Sequence, residues 1–154
     1  MNEQQLREQL VRVDERFSHT VRYTEQEMAA FATLTLDRNP LHHDPDLARK
    51  AGFDGAIASG QHTTAIMMGL LATHFSRNDD GVAREMLCLN VNFAFKQPVL
   101  ADQDLKLEWV VRIAEWHAKL GGMLTHLDGS ATLQGANVAP SVVARATILV
   151  KPGR

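Results

Sequence analysis

The chain predicts an α+β fold in which a curved antiparallel sheet wraps one long central helix. Two observations carry this. Four segments in the second half, 85–96, 103–116, 123–133 and 141–151, are long enough for strands, are rich in Val, Ile, Leu, Phe and Trp, and are punctuated by Pro98, Gly121-Gly122, Gly135 and Pro140. Ahead of them, residues 61–76 place Ala65, Ile66, Met67, Met68, Leu70, Leu71 and Ala72 around the whole circumference of a helix, which predicts cover on every side. Consecutive strands with short connections make an antiparallel sheet, and Gly69 with its neighbouring alanines would let that sheet come close.

In chain order, residues 6–14 show no clean period beyond Leu6, Leu10, Val11 and Val13, and fit either a short helix or an extended arm. From 15 to 23, Phe17, Val21 and Tyr23 alternate loosely with polar residues, as in a first strand. Thr24-Glu25-Gln26-Glu27 has the form of a capping box, so a helix runs from 25 to about 36 with Met28, Phe31, Ala32 and Thr35 on one face. Pro40 ends helical backbone and pushes Asn39 into an extended conformation, which makes 37–41 irregular. Asp44-Pro45 reads as an N-cap followed by a helix-starting proline, and Gly52 as the residue just past a short helix over 46–51. Gly52, Gly55 and Gly60 mark a loop into the long helix, which Asn78-Asp79-Asp80-Gly81 stops. No internal repeat, low-complexity segment or linker divides the 154 residues, so residues 1–154 are expected to form one domain.

Composition narrows the function classes. Hydrophobic residues at 45% and charged residues at 22% are ordinary for a globular chain. A net charge of −2 leaves no global nucleic-acid footprint, so an anionic ligand needs local charge. Arg38, Arg49, Lys50, Arg77, Arg84 and Lys96 read as solvated surface, some of them able to hold phosphates. Cys88, the single cysteine, lies in Met86-Leu87-Cys88-Leu89 and reads as core. Met67, Met68, Phe75, Trp109 and Trp116 also read as packing residues. The polar start Met1-Asn2-Glu3-Gln4-Gln5 lacks the apolar stretch of a signal peptide, and the apolar run over 65–72 is too short to span a bilayer. A cytoplasmic protein is the expectation.

The chemistry-bearing stretch is Asp37-Arg38-Asn39-Pro40-Leu41-His42, followed by Gly60 at the mouth of the long helix. Asp37 alone would be a turn residue, and His42 or His43 alone a surface histidine. Together, an acid and an imidazole across a proline-fixed bend, leading to a helix start whose Gly60 amide can meet developing negative charge, point to acid/base chemistry. Glycine there also permits close approach of a ligand. Gln61 and His62 add polar groups near the same mouth. His42, His43, Asp44, Asp46 and His62 lack a clear metal-ligand spacing, so no metal is expected. Ser59 lacks the strand-turn-helix pattern of a nucleophile elbow.

Phe31-Ala32-Thr33-Leu34-Thr35-Leu36-Asp37-Arg38-Asn39-Pro40-Leu41-His42, with Gly52-Phe53 and Ile57-Ala58-Ser59-Gly60, resembles the hydratase motif of the MaoC-like, (R)-specific enoyl-CoA hydratases. The strand pattern agrees with that family's hot-dog fold. The resemblance implies that Asp37 and His42 are the catalytic dyad, that Asn39 helps hold their loop, that the Gly60 amide meets the thioester oxygen, and that the protein is a homodimer. Two positions depart from the family's usual pattern: Thr35-Leu36 replaces Ser-Gly before the acid, and Ser59-Gly60 replaces His-Gly at the helix start. Leu36 cannot take positive φ as cheaply as glycine, so a different approach of the Asp37 loop is expected.

The residues suit that chemistry. Adding water to a 2-enoyl thioester needs a base for water, a proton source for C2 and a donor for the thioester oxygen. Asp37 and His42 can supply the first two and Gly60 the third, with Gln61 and His62 as further substrate contacts suited to a polar acyl chain. No cofactor is called for; CoA or acyl carrier protein is part of the substrate, and its phosphates would meet basic side chains at the entrance. A hot-dog thioesterase and a non-catalytic acyl-CoA binding module are the alternatives. Independently, a five-stranded sheet has open edges that pairing between two copies would remove.

Overall fold

The computed structural model describes residues 2–135 and 138–153. Residues 6–14 resolve mainly as helix: α1 spans Glu3–Leu10, and Asn2 and Gln5 close a reciprocal capping box at its start. Strand β1 follows at Arg16–Val21, then α2 at Glu25–Leu34, with the expected box between Thr24 and Glu27. The stretch expected to be irregular contains one 3-10 turn, Pro40–His42. Helix α3 is Pro45–Lys50, N-capped by Asp44, and α4 is Gly60–His74, N-capped by Ser59. Four strands complete the chain: β2 Arg84–Phe95, β3 Leu105–His117, β4 Gly122–Leu133 and β5 Val142–Pro152.

The five strands form one sheet in the order β1-β3-β4-β5-β2, every neighbouring pair antiparallel. Only β3-β4-β5 is a meander; β2 pairs with β5 at the far edge. Along β3, Leu105, Leu107 and Trp109 are fully buried while Lys106 and Glu108 point away, the period-two alternation of a half-covered sheet. The inner face packs on α4, where Met67, Leu71 and Phe75 meet Trp109, Val111 and Ile148 in one core cluster. Trp109 fixes how closely the two layers meet. Its Nε1 donates to the Met67 carbonyl at 2.9 Å, and its ring lies over Gly129, where a Cβ would fall 2.6 Å from Cζ3.

Three expectations change. Helix α4 is not covered all round: Ala65, Gly69 and Thr73 are exposed, and nothing stands within 4 Å of where a Gly69 side chain would begin. One sheet covers one face of a helix, and small residues leave little apolar area on the other. Cys88 is exposed rather than core, because β2 is an edge strand whose pairing slips at a bulge between Cys88 and Asn90. Arg84 is buried rather than solvated. Its guanidinium donates to the carbonyls of Gln9, Leu10 and Val82 and to the Asp80 carboxylate, satisfying acceptors that the end of α1 leaves open. No helix among the described residues is long and apolar enough to cross a membrane.

Candidate active site

The end of α2 decides where Asp37 stands. The Leu36 amide donates to the Thr33 carbonyl at 3.1 Å and the Asp37 amide to the Ala32 carbonyl at 2.8 Å, the paired bonds of a Schellman ending. That ending requires a left-handed residue between helix and exit, and Leu36 supplies it with φ 61°. The different backbone expected from leucine in place of glycine is therefore not what occurs. Leucine takes the glycine-like conformation, at a cost of roughly 1 kcal/mol.

Beyond this ending the loop is held by its own polar groups. Asp37 Oδ1 accepts from the Asn39 amide at 3.0 Å, Asn39 Oδ1 accepts from the Leu41 amide at 3.2 Å, and His43 Nε2 donates to the Asp37 carbonyl at 2.8 Å. The 3-10 turn then presents His42. Its Nδ1 lies 2.7 Å from the Ile57 carbonyl. A carbonyl only accepts, so Nδ1 carries a proton and Nε2 of the neutral ring carries the lone pair. That Nε2 is 3.4 Å from Asp37 Oδ2, with the two side chains 10% and 20% exposed. Ile57 is itself fixed, its amide donating to the Leu41 carbonyl and the next amide, of Ala58, to Val99.

His42 opens onto a cavity of about 330 Å³, shared with Phe53, Ile57, Gly60, Thr63 and Phe95, with Lys96 and Gln97 also at its wall. Gly60 is the first residue of α4, so its amide has no acceptor one turn back and is free to face a ligand. Asp37 stands beside His42 rather than on the cavity wall, and Asn39 works through the backbone of the bend. Gln61 is exposed and lies off the wall. His62 is turned inward, its ring stacked between Tyr23 (4.2 Å) and Phe31 (4.4 Å), with Nδ1 buried and without a partner among the described residues. Burial pushes the His62 pKa down, against the opposing charge of Glu27. The structure therefore brings Asp37, Asn39, His42 and Gly60 together, and sets Gln61 and His62 apart from the cavity.

Asp44 and Asp46, weighed above with the histidines as ligands, are engaged by α3: Asp44 caps it and Asp46 pairs with Arg49 at 2.9 Å. Ser59 is the N-cap of α4, its Oγ accepting from the His62 amide. Sequence reasoning missed the His43 bond, the Ile57 carbonyl and Phe95. The first joins residues six apart through a backbone atom, and the other two arrive from distant segments, so no local pattern signals them.

A family profile described as the MaoC like domain matches residues 8–125. The chain is 24% identical over 135 residues to a mitochondrial 3-hydroxyacyl-[acyl-carrier-protein] dehydratase of Arabidopsis thaliana, covering 80% of this chain and 76% of that one. It is 31% identical over 87 residues to an (R)-specific enoyl-CoA hydratase of Aeromonas caviae, covering 56% of this chain and 60% of the relative. Among solved structures, an (R)-hydratase from A. caviae involved in PHA biosynthesis superposes with a TM-score of 0.76 at 26% identity, over 93% of this chain and 98% of the other. The α+β hot-dog fold expected from the sequence is the fold present.

Proposed function

Since the chain belongs to the MaoC-like domain family, we propose that it adds water reversibly to a 2-enoyl thioester, acting in reverse as a 3-hydroxyacyl-thioester dehydratase. The observation that carries this reading is the 3.4 Å approach of Asp37 Oδ2 to a His42 Nε2 whose lone pair faces it, beside a cavity that begins at a helix start. An ionised carboxylate and that imidazole nitrogen are both acceptors. A water between them donates one hydrogen to each and keeps an oxygen lone pair for attack.

As that oxygen bonds to C3 of the enoyl group, His42 Nε2 takes one proton of the water. Asp37 holds the other hydrogen and balances the imidazolium. The C2–C3 π electrons move onto the thioester oxygen, where the Gly60 amide donates to the charge. His42 then returns its proton to C2, so the elements of water are added with nothing oxidised or reduced, and no cofactor is needed. CoA or acyl carrier protein carries the acyl group, and Lys96 at the cavity wall is placed to meet phosphate or carboxylate charge.

The test is hydration of crotonyl-CoA by the parent, Asp37→Asn and His42→Ala. Each substitution should lower kcat by about 100-fold or more, the range for removing a positioned acid or base, with free thiol release remaining at background. Parent-level hydration in both variants would defeat the assignment, and thiol release by the parent would favour the thioesterase alternative.

A further inference from the structure

The proposed dyad leaves one conspicuous side chain of the cavity unused. Phe95 is the last residue of β2, paired opposite Val142, and is 57% exposed although it is a large aromatic. Its backbone surroundings are firmly held: the amides of Lys96 and Gln97 both donate to the Ser141 carbonyl, at 2.8 and 3.3 Å. The ring lies across the start of α4. A Cβ on Gly60 would fall 2.6 Å from Phe95 Cε1 and 2.7 Å from Cζ, so the absence of a side chain at position 60 is what lets the ring lie there. Both residues border the same cavity.

We propose that Phe95 is a cover over the oxyanion position, its ring closing an apolar slot in which the thioester carbonyl meets the Gly60 amide out of contact with water. This rests on the enoyl-thioester reading and adds to it a residue that contacts substrate. An amide donor is worth far more to a developing oxyanion in a water-poor slot than beside bulk solvent, because water both screens the charge and competes for the hydrogen bond. The ring is fixed at its base and open on its outer side. It can therefore swing to admit a substrate without disturbing the sheet. The same geometry assigns Gly60 two duties, an amide that donates and a bare Cα that gives the ring its seat.

The test uses the full chain and crotonyl-CoA. Phe95→Ala should lower kcat about tenfold while KM moves less than about threefold, since the lost shielding matters most when charge reaches the oxygen. Phe95→Leu, which keeps an apolar cover, should retain most of the activity, and Phe95→Gln, of similar length but polar, should not. In Gly60→Ala the new methyl group displaces the ring, so adding Phe95→Ala to that background should cost clearly less than it costs the parent. An active parent with an unchanged Phe95→Ala kcat, equal retention by the Leu and Gln variants, or losses at 60 and 95 that simply multiply would each overturn the cover and leave the hydratase reading standing. A parent that hydrates no enoyl thioester would overturn both.

Discussion

Leu36 carries the clearest local conflict in the chain. It holds φ 61° and is 85% exposed, so it bears the steric penalty of left-handed backbone while burying almost nothing in return. The conformation is imposed by its neighbours, because only a left-handed residue here lets the Asp37 amide reach the Ala32 carbonyl and turns the Asp37 carboxylate toward His42. Leu36→Gly should therefore raise stability by roughly 0.5 kcal/mol, the relief of the side-chain clash less the added freedom of the unfolded chain. Thermal unfolding would register this as a small rise in Tm with hydration activity kept. A fall in Tm would show that the exposed leucine makes a stabilising contact after all.

At the scale of elements, β1 is tied to the last turn of α4 by a charged cluster at the opposite end of the helix from Gly60. His74 Nε2 donates to Glu15 Oε1 at 2.8 Å, Arg77 donates to the same oxygen at 3.2 Å, and Phe17 stacks flat on the His74 ring at 3.7 Å. Burial raises the Glu15 carboxyl, but the hydrogen bonds from His74, the Arg12 amide and Arg77, with the charge of His74, outweigh it and hold its pKa down at about 2, against an ordinary 4.5. A carboxyl depressed in the folded state stabilises fully above its unfolded pKa and loses that contribution as pH falls through the folded one. The window is therefore from about 4.5 down to about 2. Glu15→Gln should cost roughly 2–3 kcal/mol near neutrality and progressively less below pH 4.5. Denaturant unfolding of parent and variant across that range checks it; a difference that is flat with pH would refute it.

For the whole molecule, the two sheet edges differ in character. β1 offers Arg16, Ser18, His19 and Thr20 to solvent, the polar guarding that discourages pairing. β2 leaves Leu87 and Leu89 at 50–53% exposure along a twelve-residue edge, and α4 shows Ala65, Gly69 and Thr73 uncovered. We propose a homodimer that extends the sheet through β2 and brings a second copy onto the bare face of the helix. Light scattering should give twice the chain mass for the parent and a shift toward the monomer for Leu87→Lys combined with Leu89→Lys. A monomeric parent, or a double variant as dimeric as the parent, would count against that edge.

What the sequence determined by itself was much of what depends on short spacing. Thr24 and Glu27 announced the start of α2 and Asp44-Pro45 that of α3, because capping acts over three or four residues. The bend that joins Asp37 to His42 was legible for the same reason, although its Leu36 was expected to distort it. Only the tertiary structure decided the rest. Arg84 became an internal staple, Cys88 an edge residue, His62 an aromatic filling and Phe95 the ring across Gly60, each through partners dozens of positions away. A side chain's type states what it can bond or bury, but which surface it meets depends on how the sheet closes over α4, and no local window contains that.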